Sequence, residues 1–139
     1  LAGPRSTALP AREYLAGVPH VVVDESAGKV DLIAIAARNS EVLKRANITA
    51  VRVDEQGVIR VRTFERGVGE TLACGSAALA AAAFYETPRG AGGRYTVLPP
   101  AGIPLSVRLE PVPGSAFLRG EARVVYYGEL PSLWRKMDS

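Results

Sequence analysis

The residues best suited to chemistry gather in and around one segment, Glu65-Arg66-Gly67-Val68-Gly69-Glu70-Thr71-Leu72-Ala73-Cys74-Gly75-Ser76, which holds the only cysteine of the chain. It runs without a break into Ala77-Ala78-Leu79-Ala80-Ala81-Ala82-Ala83-Phe84-Tyr85. The Ala/Leu run is the strongest helix former in the sequence, and the two glycines and the Cys-Gly-Ser ahead of it read as an approach loop and a helix start. The pattern therefore places Cys74 in the first turn of a helix. Unpaired backbone N–H groups collect there, and the positive end of the helix dipole favours an anion, either a bound carboxylate or the thiolate itself. A cysteine so placed can have its pKa drawn toward neutrality and act as acid, base or nucleophile. The plain alternative is a buried inert thiol.

Other polar residues carry weaker signals. Glu65 and Arg66 are adjacent charges ending an apolar strand, which composition alone reads as a solvated strand end. Asn47 begins a strand, where asparagine commonly bonds its own backbone. His20 invites a Cys-His nucleophile reading, but no acidic or oxyanion partner is signalled, so a structural histidine at a strand start is favoured. Glu70 and Thr71 are expected to shape the loop and cap the helix.

The elements that must position these groups follow from periodicity. Residues 77–84 carry no polar side chain on any face, so the helix is expected to be buried all round, with neighbouring backbone close to its methyl groups. Residues 1–16 are irregular, with an edge strand near 12–15; Gly17-Val18-Pro19-His20-Val21-Val22-Val23-Asp24 reads as a buried strand. Asp31 caps a short surface helix over Leu32–Arg38, broken by Asn39-Ser40 before a further turn or two at 41–45. Residues 48–54 and 58–65 alternate around Asp54-Glu55-Gln56-Gly57 as a hairpin. After a flexible loop at 87–93, strands are expected at 94–98, 105–110, Ala116–Arg119 and 122–127. The resulting fold class is α+β: a barrel-like, strongly curved, mostly antiparallel sheet wrapped around a central apolar helix.

Composition bounds the rest. The 139 residues, 47% hydrophobic, form a single domain, 1–139, with a real core. No span is apolar and long enough for a membrane, and the first residues match neither a signal peptide nor a lipidation signal. One cysteine rules out an internal disulfide framework and suits a reducing, cytoplasmic location; no Cys/His cluster suggests structural zinc. The net charge of +3 is scattered along strands rather than gathered into a nucleic-acid footprint. Leu1 is not a start methionine, so the chain reads as processed or cut from something longer.

The twelve residues Glu65 to Ser76, with both glycines and the cysteine, closely resemble the second catalytic-cysteine motif of the diaminopimelate epimerases, cofactor-independent racemases of lysine and peptidoglycan biosynthesis. Gly17-Val18-Pro19-His20 is similar to that family's Gly-x-Pro-His strand, Ala46-Asn47-Ile48 to its asparagine-bearing strand start, and residues 120–130 to its closing strand. The resemblance implies a C-terminal domain of two, the N-terminal partner domain supplying the first cysteine in a Cys-Gly-Asn motif that is absent here. It implies Cys74 as one of two acid/base thiols, with the backbone N–H groups of Gly75 and Ser76 holding the substrate carboxylate. Glu65 would receive the reacting amino group, Arg66 the distal carboxylate, and Asn47 the distal end of a small amino-acid substrate. No cofactor or metal is implied, oligomeric state stays open with a homodimer among the options, and this chain alone would be inactive. Val18 departs from the asparagine that many members carry before Pro-His.

Three readings follow: a domain of an epimerase interconverting LL- and meso-2,6-diaminoheptanedioate, a related cofactor-independent racemase of different substrate, and a non-catalytic amino-acid-binding module. A cysteine hydrolase is a more distant fourth.

Overall fold

The computed structural model describes residues 11–86, 92–111 and 114–129. Eight strands make one sheet: β1 (Ala11–Ala16), β2 (Val18–Asp24), β3 (Asn47–Val53), β4 (Ile59–Glu65), β5 (Gly69–Thr71), β6 (Gly93–Leu98), β7 (Leu105–Leu109) and β8 (Ala116–Arg119). Their order is β1-β2-β3-β4-β6-β7-β8, with β5 paired to β4 beside this path. Only β2–β3 and β4–β6 are parallel, so the sheet is mostly antiparallel, as its short alternating strands predict. Among the described residues there are also three helices: α1 (Leu32–Arg38), α2 (Ser40–Leu43) and α3 (Gly75–Glu86).

The period of two along β2, β3 and β4 serves two cores at once. Val22, Val51, Ile59 and Val61 pack on α3 with Ala77, Ala78, Ala80, Ala81 and Ala82. Val23, Ile48 and Ala50 face the other way and pack on Leu32 and Ala36 of α1. This is why β3 is buried over five consecutive residues: both its faces are covered. Asp31 caps α1 by accepting from Ala34 N at 3.0 Å. At the β3–β4 turn, Asp54 accepts from Gln56 N and Val58 N, and Gly57 takes φ +79°.

The sheet curls around α3 without closing. Leu79, Ala83 and Glu86 are only half-buried and line a groove of about 530 Å³ with residues 14–17 on one side and Leu109, Pro111 and Ala116 on the other. The helix is therefore covered on all but one stripe, which corrects the expectation that it is buried all round. A second correction concerns residues 122–127, which form no strand; Val124, Val125, Tyr126 and Tyr127 are exposed. A ladder needs a partner edge, and none among the described residues reaches them. The loop expected at 87–93 falls mainly on residues outside the described set, at 87–91, and β6 already begins at Gly93.

Candidate functional site

The inner face of β2–β4 is divided along its length. Toward the middle and far end it is apolar, as above. At the end that meets the head of α3, the same alternation presents His20, Asn47, Thr49, Thr63 and Glu65. His20, Thr49 and Thr63 are buried there, and each of them finds a hydrogen-bonding partner.

Cys74 stands at the N-cap of α3, one residue before the first turn that sequence predicts; its carbonyl accepts from Ala78 N at 3.1 Å. It is half-buried, and its Sγ lies 3.3 Å from Ser76 Oγ. Ser76 Oγ is in turn 2.9 Å from His20 Nε2, while His20 Nδ1 is 2.9 Å from Thr49 Oγ1. Burial pushes the His20 pKa down, opposed in part by the charge of Glu65, so the imidazole is neutral at pH 7. A Cβ at Gly75 would stand 2.9 Å from Leu118 Cδ2, so the Leu118 side chain of β8 lies against the helix head.

Glu65 and Arg66 reach this corner through a tight return. Gly67 and Gly69 have φ +77° and +105°, which side-chain-bearing residues rarely adopt, and they turn the chain from β4 into β5. Thr71 on β5 donates its hydroxyl to Glu65 Oε1 at 2.6 Å, and Glu70 accepts from Arg62 Nε at 2.9 Å. These two residues shape the loop as expected, but the position at the helix cap belongs to Cys74. Asn47 accepts from Arg66 N at 2.9 Å, which joins the start of β3 to the end of β4.

A pocket of about 300 Å³ lies over this corner, with Asn47, Glu65, Arg66 and Ser76 on its walls together with Val18 and Arg45. Cys74 and Gly75 are not on its walls; Cys74 adjoins it through Ser76. The larger groove along α3 offers mainly apolar walls, so the smaller pocket is where a carboxylate, a guanidinium, an amide and a hydroxyl converge. The structure thus brings Val18, Asn47, Glu65, Arg66 and Ser76 to one pocket, with His20, Thr71 and Cys74 linked to it by hydrogen bonds, whereas Glu70 turns to Arg62 on the other face of the sheet. Arg45 was not singled out. Its guanidinium is held by Glu13 at 2.6 Å, and its position two residues before Asn47 carries no motif. His20 is structural in its burial, as expected, yet it also touches the site through Ser76. The even spacing of His20 and Val22 on one strand face is the signal for that placement.

Among the described residues no group of three His, Cys, Asp or Glu side chains is arranged to hold a metal ion, and no helix is long and apolar enough to cross a membrane.

Comparison with known proteins bears on the whole corner. The family model of diaminopimelate epimerase matches residues 15–125. Curated diaminopimelate epimerases of Xylella fastidiosa and Gemmatimonas aurantiaca are each 38% identical, over 121 and 135 residues, covering 81% and 86% of this chain. That of Methanopyrus kandleri is 38% identical over 133 residues, covering 89%. The chain spans 40%, 49% and 45% of the length of these three relatives. Among solved structures, a predicted epimerase from Pseudomonas aeruginosa superposes with TM-score 0.57 at 23% identity, covering 78% of this chain and 38% of that one. A hydroxyproline epimerase from Agrobacterium vitis superposes with TM-score 0.52 at 15% identity, covering 74% and 39%. The structural matches carry the fold, and the family match spans the strands, the glycine turn and the helix head that build the pocket: the chain belongs to the diaminopimelate epimerase family.

Proposed function

We propose that this chain supplies one catalytic half of a cofactor-independent epimerase that interconverts LL- and meso-2,6-diaminoheptanedioate, with Cys74 as the acid/base on one face of the α-carbon. The observation that carries this reading is the convergence of Asn47, Glu65, Arg66 and Ser76 on one pocket beside the thiol. Inverting an α-carbon takes a base on one face and an acid on the other, and a thiolate and a thiol serve both directions. The carbanion between them is stabilised by hydrogen bonds and positive dipoles aimed at the adjoining carboxylate, which the N–H groups at the head of α3 supply. Glu65, with Oε1 taken by Thr71, has Oε2 as acceptor for the ammonium group. Arg66 takes the distal carboxylate, for which its planar fork is suited, and the amide of Asn47, its oxygen held by the Arg66 backbone, donates its NH2 there.

The second thiol belongs to a partner domain of the length by which the relatives exceed this chain. A free thiol in acid/base work suits the reducing cytoplasm. The test pairs this chain with the N-terminal half of a relative and follows incorporation of solvent deuterium at the substrate α-carbon. Exchange on LL-2,6-diaminoheptanedioate by the pair, and none by this chain alone, is the expected result. Exchange only on another amino acid would transfer the site to a related racemase, a reading that Val18 on the pocket wall favours because valine offers no hydrogen bond. Exchange on no amino acid, with the pair assembled, leaves a binding module.

In the active pair, Arg66→Lys is expected to raise KM about tenfold or more while kcat is kept within a few-fold, because the charge survives and the two-pronged contact does not. Steady-state rates at limiting and saturating substrate separate the two. Loss of kcat with KM unchanged would place Arg66 in the proton-transfer step instead.

A further inference from the structure

The face of the sheet turned away from the thiol is only partly covered. Helix α1 lies over Val23, Ile48 and Ala50, and beyond it the same face carries Arg52 on β3, Arg60 and Arg62 on β4, and Leu98 on β6. Sequence spreads these cations along strands, and register brings them together. Arg52 and Arg60 are direct cross-strand partners, and like charges placed opposite each other destabilise a ladder. A pocket of about 500 Å³ lies over them, walled on one side by the β2–α1 loop with Lys29 and on the other by Leu98, Pro99 and Pro100.

Both walls are tied down. Glu25, 3% exposed, accepts from Val30 N at 3.2 Å and from Arg62 Nη1 at 3.3 Å, which pins the β2–α1 loop to the sheet. Opposite it, Gly102 N donates to Pro99 O at 3.0 Å and Ala101 N to Leu72 O at 2.9 Å, which closes the proline turn and fastens it to the loop ahead of α3. Arg62 is already held, since it also donates Nε to Glu70 at 2.9 Å and Nη1 to Val30 O at 3.1 Å. Arg60 gives only its Nε, to Asp54 at 2.8 Å, and both its terminal nitrogens are left as donors. Among the described residues Arg52 and Lys29 have no carboxylate partner, and both are exposed.

We propose that this pocket binds a phosphate monoester with a flat apolar body, the phosphate between Lys29, Arg52 and Arg60 and the body against Leu98, Pro99 and Pro100. Guanidinium forks match phosphate oxygens two at a time, so an anion bridging Arg52 and Arg60 replaces the repulsion of that pair by a shared contact. Glu25, Glu70 and Asp54 already answer Arg62 and the Nε of Arg60, so the surplus of cations suits one phosphate group and no second anion. An apolar wall beside a few convergent polar groups is the make-up of a small-molecule site. The pocket lies across the sheet from Asn47, Glu65 and Cys74, so its occupancy needs neither the thiol nor a second domain and is independent of the epimerase reading.

Titration of the ¹⁵N-labelled chain with phenyl phosphate, inorganic phosphate and phenol tests this, at constant ionic strength and about pH 8, where a phosphate monoester carries close to two charges. Phenyl phosphate is expected to shift the amide resonances of residues 28–30, Arg52, Arg60 and residues 101–102 along saturable curves, and to bind several-fold more tightly than inorganic phosphate. Phenol should leave them unmoved. Arg52→Gln, at an exposed side chain, should weaken phenyl phosphate about tenfold, the size of one lost charge-assisted contact. Arg12→Gln removes the same charge from β1, which lines no part of the pocket, and should leave the affinity unchanged. Linear shifts without saturation, or equal weakening in the two variants, would mean that phosphate meets only the net charge of the chain and would overturn the proposal. Saturable shifts at Asn47 and Arg66 instead would move the anion to the pocket beside the thiol and equally overturn it. Inorganic phosphate bound as tightly as phenyl phosphate would refute the role given to the proline wall.

Discussion

Cys74→Ser in the two-domain enzyme is expected to lose epimerisation by at least the ~10²–10⁴-fold that a positioned acid/base contributes, because a hydroxyl is too weak an acid and too scarce as a base at neutral pH. Folding should be retained or slightly improved. Cys74 stands at the N-cap of α3, and serine is among the residues preferred there, since its oxygen accepts from the N–H groups of the first turn. The Ser76 hydroxyl also keeps a polar neighbour in place of the sulfur. Single-turnover exchange of the α-proton with deuterated water, at saturating substrate, isolates the chemical step from binding. Loss of exchange with an unchanged melting curve is the expected pair of results, and exchange at the wild-type rate would remove Cys74 from the mechanism.

The second large effect is expected at the joint of the sheet. Strands β1–β5 and β6–β8 are connected through β4 and β6, whose ladder has only two register pairs, Ile59 with Val97 and Arg60 with Leu98. Ile59 and Val97 are fully buried at that joint and pack in the core around α3. Ile59→Ala removes side-chain volume where neither strand can collapse inward without breaking its ladder, so a destabilisation of about 2–5 kcal/mol is expected. Ile33→Ala on the exposed face of α1 should stay within about 0.5 kcal/mol. Urea midpoints of the two variants, compared at equal slope, provide the measurement. A midpoint for Ile59→Ala as close to wild type as that of Ile33→Ala would mean that the two parts of the sheet do not depend on this joint.

Local chemistry made most of the elements legible. Asp31 as a cap, the Asp54–Gly57 turn and the alternation on either side of it are determined within a few residues, so helix α1 and the β3–β4 hairpin follow from sequence alone. The all-apolar run after Cys74 likewise dictates a helix that other elements must cover, and the motif from Glu65 to Ser76 marked the site. What no local signal carries is closure and pairing. Whether a stripe of α3 remains open depends on the distance left between β1 and β8 once the sheet has curled, which is a property of the whole sheet. Residues 122–127 have the β-branched and aromatic composition of a strand and form none, because a strand exists only with a neighbouring edge to bond. The hydrogen-bonded side chains from Thr63 through Thr49, His20 and Ser76 to Cys74 join residues from β4, β3, β2 and α3 that lie up to 56 positions apart along a single contact, His20 to Ser76. Residue types alone left His20 a structural histidine apart from the thiol that the helix start marked; only the parallel pairing of β2 with β3, and the seating of the helix head upon them, decided that the two share one hydrogen-bonded chain.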